Sequence, residues 1–190
     1  MRRTLPLLLL LFTALSSCAQ TPPPVETPTT TDVTTTLTNQ YALHARLFNN
    51  VLNDISDAEA GQQMSDSTNS MTWIAGHTLD IQYNLAMLLG LESSNPYADQ
   101  FAFGKPFEPG ADYPGLDRMR SDWNALAPRI TEALGQLDAA TLNAPAPFPL
   151  PYGLQTMRGL YEFQMHHLAY EIGQLGLYRR FLGKPALSYQ

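Results

Sequence analysis

Met165-His166-His167-Leu168-Ala169-Tyr170-Glu171-Ile172-Gly173-Gln174 is the stretch from which the fold reads outward. Residues four apart on a helix sit one above the other. His167 and Glu171 therefore share a face with Gln164, Gln174 and Tyr178, and Leu160 continues it. If that face points inward, a carboxylate enters a core, where it needs a partner or stays protonated. The pattern predicts a helix over about 155–183, stopped by Gly183 and Pro185, with Arg179 and Arg180 where the helix dipole favours cations.

Three earlier stripes repeat the helical period. Leu37, Tyr41, His44, Phe48, Val51 and Ile55 mark a helix over about 37–57. Ile74, His77, Ile81, Leu85 and Leu88 mark one over about 70–90, opened by Ser70 and closed by Gly90. Leu116, Met119, Trp123, Leu126, Ile130 and Leu137 mark one over about 115–138, where Pro128 predicts a kink or break. Strand signals are weak. The expectation is an all-α fold, a four-helix bundle over residues 37–190. Residues 91–114 and 143–153 form long, proline-rich connections, read either as functional covers or as aromatic caps on the bundle. Gly173 and Gly176 each cost a helix about 1 kcal/mol relative to alanine, which predicts close packing there.

His77 lies on the apolar stripe of the second helix, so His77, His167 and Glu171 can meet in the core and bind a divalent cation. Two imidazoles and one carboxylate, with positions left open, suit Zn, Ni, Fe or Mn. Neutral imidazole and a paired carboxylate also remove the desolvation problem. His44 is read as a core histidine that can serve as a second-shell group or fourth ligand, and Asn84 and Gln174 as groups that orient ligands. Asp80 is expected on the flank. His166 points about 100° away from His167, toward the surface or a neighbouring helix.

Met71-Thr72-Trp73-Ile74-Ala75-Gly76-His77, followed by Leu88-Leu89-Gly90, resembles the second helix of DinB-like (YfiT-like) proteins. His167 to Gln174, then Leu175-Gly176-Leu177-Tyr178-Arg179-Arg180-Phe181-Leu182-Gly183-Lys184, resembles their last helix. The resemblance spans roughly residues 37–186, with specific motifs in those two helices. It implies a four-helix bundle with a three-histidine metal site. It also points to thiol-dependent transferases and isomerases, beside members of unknown activity. By position the ligands are His77, His167 and Glu171, and Glu171 departs from the histidine of the family pattern. A glutamate can still ligate, with altered metal preference.

The N-terminus reads as a leader. Arg2 and Arg3 precede an apolar run from Leu5 to Leu15, and Leu15-Ser16-Ser17 leads into Cys18. The run is far short of the roughly 20 residues that span a bilayer. The pattern resembles the lipobox of bacterial lipoproteins, so residues 1–17 are expected to be a signal peptide. Cys18, the single cysteine, is then the lipidated new terminus, which gives a use to a thiol that cannot form an internal disulfide. Residues 18–36, rich in Thr and Pro, are expected to form a flexible tether. Loss of Arg2 and Arg3 takes the cations from 11 to 9 against 17 acids, so the net charge moves from −6 to −8. That balance argues against nucleic acid and against peripheral binding to anionic lipid.

The expected partners are a membrane, through lipid on Cys18, and a small-molecule ligand; a homodimer is compatible with the sequence. The expected location is the cell envelope, with the outer membrane favoured where there are two, because Ala19 is not an inner-membrane retention aspartate. No phosphate loop and no Gly-x-Ser-x-Gly elbow is present. Two readings stay open. One is a metal-dependent hydrolase, transferase or isomerase. The other is a non-catalytic ligand-binding or structural lipoprotein that has lost the metal. Export argues against the thiol-transferase role of relatives, since small thiol cosubstrates are mainly cytoplasmic.

Overall fold

A computed structural model of the protein describes residues 27–189. The expected leader, Cys18 and the expected tether as far as Glu26 lie outside them. The first helix, α1 (Thr30–Val51), starts within the segment expected to be tether. The cause is local: Thr29 and Asp32 form a capping box, each side chain accepting from the other's backbone. Val33 and Thr34 then extend the buried stripe one turn upstream of Leu37, the predicted start.

Short α2 (Asp57–Ala60) follows, with its own capping box between Ser56 and Glu59. Then come α3 (Met71–Leu88), capped by Ser70, and short α4 (Ala98–Phe101). Next are α5 (Leu116–Gly135), short α6 (Ala139–Asn143) and α7 (Met157–Phe181). Helix α5 runs unbroken through Pro128, so of the expected kink or break the break does not occur. Pro128 and Asn124, whose carbonyl the proline leaves without a donor, are both exposed, so water can serve that carbonyl.

The four long helices form a bundle in which α1 and α3 each pack on both α5 and α7. Side-chain ties fix the directions. Tyr161 near the start of α7 donates to Leu88 O at the end of α3, and Tyr178 reaches back to Thr68 and Asn69 before α3 begins, so these helices are antiparallel. Arg179, late in α7, donates to Val51 O at the end of α1, so α1 and α7 are parallel. Trp123 Nε1 donates to Ala45 O and Arg120 to Leu52 O, which runs α5 antiparallel to α1. The order is up, down, down, up.

That order explains the long connection between α3 and α5. Two parallel helices require the chain to return along the bundle. It does so beside α3, in reverse. Asn95 bonds to Asp80, the Phe101 ring lies against Gly76, and the 107–115 stretch shares a cavity with Ser70 and Thr72. Helix α3 is consequently buried on nearly every side, Met71 to Gly76 without a break. Its sequence is apolar all round, which is what a helix covered on every side requires. Asp80, expected on the flank, is 2% exposed for this reason. The 144–156 connection pairs with itself, Ala146 N donating to Gln155 O and Met157 N to Ala144 O, and tucks Leu150 under Gly159.

The predicted tight packing at Gly173 and Gly176 is not found. Nothing stands within 4 Å of where a Cβ would sit on Gly173, and only Leu187 approaches that of Gly176, at 3.9 Å. Gly173 faces outward on a part of α7 that no described helix covers.

Candidate metal centre

Helices α3 and α7 carry the centre. Their antiparallel register sets His77 opposite the Glu171 turn, and the i,i+4 spacing stacks His167 beside Glu171. One ligand atom from each of His77, His167 and Glu171 lies within 4.8 Å of the others. The two imidazoles meet edge to face, with ring centroids 5.7 Å apart. His167 Nε2 is 3.4 Å from Glu171 Oε1. Glu171 is 5% exposed, while the His167 side chain keeps 29% of its surface, so the group opens to solvent on the His167 side.

The second polar atoms of His77 and Glu171 are already engaged. His77 Nδ1 lies 2.7 Å from Phe101 O. A carbonyl only accepts, so Nδ1 carries the hydrogen and Nε2 presents a lone pair. Gln174 Nε2 donates to Glu171 Oε2 at 2.6 Å, which leaves Oε1 as the free carboxylate oxygen. Three lone-pair donors converge, and two of them, His77 and Glu171, are oriented through their other polar atom by an outer partner, as metal ligands usually are. The donor set therefore fits a divalent cation.

Aromatic rings hold the group in place. Trp73 stacks on His77 with centroids 5.2 Å apart, Phe163 lies against His167, and Tyr152 against Phe163. Trp73 Nε1 is buried without a hydrogen-bond partner.

The other sequence candidates separate. Gln174 touches Glu171. Asn84, expected to orient a ligand, instead donates to Asp80 at 3.1 Å. His44, expected as a second-shell group or fourth ligand, lies outside the group. It lines a groove of about 920 Å³ between α1 and α7, with Arg158, Glu162, Met165 and His166. The reason is topological: α1 and α3 lie diagonally across the bundle, meeting only through long side chains such as Tyr41 and Gln82, and α7 sets His167 against His77 and His166 in the groove with His44. Burial pushes the His44 imidazole below its usual range, and its Nδ1 has no partner. Sequence reasoning missed the Phe101 carbonyl, because a backbone acceptor leaves no trace in residue type. It also missed Gly76, whose only signal was a helix-weakening residue beside a candidate ligand.

A family model described as the DinB superfamily matches residues 40–175, which includes all three candidate ligands. The chain belongs to the DinB superfamily. As a DinB-superfamily bundle it is similar to the crystal structure of a conserved protein from Enterococcus faecalis. The TM-score is 0.56 at 20% identity, over 80% of this chain and 98% of that one. At that identity the likeness bears on fold alone. No curated protein matches the sequence. The superfamily match supports the all-α assignment. Among the described residues, no helix is long and apolar enough to cross a membrane.

Proposed function

We propose that this chain is an exported bacterial lipoprotein whose DinB-like bundle binds a divalent metal through His77 Nε2, His167 and Glu171 Oε1. The activity class is a metal-dependent hydrolase, transferase or isomerase acting on a small molecule. The observation that carries the metal reading is the double anchoring: Phe101 O holds His77 and Gln174 holds Glu171, each through the atom that would not ligate. A bound Zn, Ni, Fe or Mn would supply a Lewis acid. The chain's own residues keep the ligands oriented, exclude water on the Trp73 side and leave the His167 side open. A carboxylate in place of a third imidazole lowers the charge of the loaded site and favours the harder ions, Fe and Mn, more than three imidazoles would.

The targeting part of the proposal rests on the leader, the lipobox-like Leu15-Ser16-Ser17-Cys18 and the acidic mature charge. It places the protein in the cell envelope, anchored through lipid on Cys18, with the outer membrane favoured where there are two. Mass spectrometry of the membrane fraction should find a mature chain starting at a diacylglyceryl-modified Cys18, and Cys18→Ser should remain uncleaved.

For the metal, the full chain purified in detergent should carry near-stoichiometric metal by elemental analysis, and His167→Ala and Glu171→Ala should lose it. No uptake after reloading with Zn, Ni, Mn and Fe under anaerobic conditions would sink the enzyme reading. The near-complete burial of Glu171 then favours the second reading, a non-catalytic ligand-binding or structural lipoprotein.

A further inference from the structure

The return crossover between α3 and α5 touches α3 at two places that bracket His77. One residue before the ligand, Gly76 lets the Phe101 ring lie on the helix. A Cβ at Gly76 would overlap that ring, with Phe101 Cδ1 only 2.7 Å away. Three residues after the ligand, buried Asp80 takes Asn95 Nδ2 at 2.7 Å on one oxygen and Asn84 Nδ2 at 3.1 Å on the other. Asn95 also accepts from Tyr97 N, and Tyr97 donates to Asp122 of α5. The segment is thus pinned to α3 at Asp80 and to α5 at Asp122. Phe101 itself is 0% exposed, packed among Trp73, Tyr97 and Tyr113.

The same residue that fills the space above Gly76 supplies the carbonyl that holds His77 Nδ1. Ring and carbonyl belong to one residue, and Trp73, Tyr97 and Tyr113 close off rotation of the ring, so a clash at Gly76 is relieved by shifting the residue as a whole, acceptor included. Without that acceptor, His77 is free to exchange tautomers and to rotate away from His167 and Glu171.

We propose that residues 95–101 are the positioning strap of the metal centre: Gly76, Phe101, Asp80 and Asn95 act together to hold His77 in the Nδ1–H form with Nε2 toward the site. They touch no metal and act only through His77. The proposal rests on the metal reading above. It makes Gly76 a requirement of close approach and gives the buried Asp80 a task.

The test uses the full chain in detergent, with zinc alone as the probe. Three readouts apply: zinc affinity by calorimetry, the His77 ring nitrogens by ¹⁵N NMR without metal, and folding by circular dichroism. Gly76→Ala should weaken zinc binding about 10- to 100-fold, the range for loss of an outer partner of a ligand. The metal-free variant should lose the fixed Nδ1–H signature of His77. Adding Phe101→Ala removes every ring atom that the new methyl meets but keeps the carbonyl, so the double variant should recover most of the affinity. A folded Gly76→Ala that keeps the His77 tautomer and binds zinc within twofold of the parent overturns the proposal. So does a double variant with no recovery.

If Gly76→Ala does not fold, Asn95→Ala releases the strap at a half-buried position. It should weaken zinc about 3- to 10-fold and mix the His77 tautomers, a fraction of the full outer-partner effect. No change in either quantity overturns the proposal. If the parent takes up no zinc while the variants still alter the His77 tautomer, the metal reading fails and the strap stands. If the parent binds zinc and the variants change nothing, the reverse holds.

Discussion

Replacing Glu171 with glutamine separates the cost of burying a charge from its use. The side chain is 5% exposed, accepts one hydrogen bond from Gln174 at 2.6 Å, and has His167 Nε2 at 3.4 Å. Glutamine keeps the shape and an oxygen for Gln174. Without metal, the change gives up the charge on one assisted hydrogen bond, worth about 1.5–3 kcal/mol. It also removes the desolvation of a buried carboxylate, several kcal/mol per ion. The second effect is the larger, so metal-free Glu171→Gln should melt at the same temperature as the parent or higher. With metal the order reverses. At a free concentration 100 times Kd, an ion bound only by the folded state adds about 2.7 kcal/mol. For a chain of this size 1 kcal/mol moves the midpoint roughly 2–4 °C, so zinc or manganese should raise the parent by roughly 5–11 °C. The variant, with a neutral amide in place of a charged ligand, should respond by less than about 2 °C on the same scale. Melting curves of both proteins by circular dichroism, without metal and with each ion, give all six midpoints. An equal metal-induced shift in both proteins would falsify the role of Glu171 as a ligand. A metal-free variant that melts more than about 5 °C below the parent would show that the carboxylate serves the fold.

Arg179→Met should cost about 3 kcal/mol, or roughly 6–12 °C, by calorimetry. The 5%-exposed guanidinium serves Val51 O, Asn53 O and Pro185 O, and methionine leaves those carbonyls unmet; a loss under 2 °C contradicts this weighting. Hydrogen bonds from Lys184 and Ser56 bring Glu59 down to about 2. Its contribution is therefore present above its unfolded value of 4.5 and is lost as pH falls from there toward 2. Glu59→Gln should flatten that part of the acid unfolding curve, and an unchanged curve rejects the pairing. Gly173→Ala, with open space around it, should stabilise by about 0.5–1 kcal/mol. Gly159→Ala meets the Leu154 backbone and should destabilise, and denaturant midpoints in the opposite order would refute that contrast.

The four long helices were legible because each carries a 3.6-residue apolar period; α3, α5 and α7 lie close to the predicted spans, while α1 both starts and ends earlier than the predicted 37–57 and leaves Ile55 outside it. The start of α1 was misjudged, since its threonines read as linker; the Thr29–Asp32 pair with Val33 and Leu37 was the available signal. The arrangement of the helices was not legible. It depends on which stripe faces which, and periodicity carries no such information. Missing the up-down-down-up order meant missing why residues 91–114 are long, why Asp80 is buried and why His44 and His77 serve different faces. Of the candidate site, spacing alone placed His167 above Glu171 and put His77 on an inward stripe. What holds them was visible only for Gln174, a side chain three residues along the same helix. The Phe101 carbonyl comes from the end of short helix α4, 24 residues away, and belongs to the backbone.

The return of the chain along α3 also has a consequence in time. Among the described residues the crossover has one short helix and few backbone bonds of its own, and it is tied to α3 by side chains. Segments of that kind open locally well before the whole domain unfolds. Each opening withdraws the acceptor from His77 while α3 and α7 stay docked. Were an ion bound in this centre, its lifetime would follow how often the crossover lifts, and amide exchange at Phe101 would be a clock for its departure.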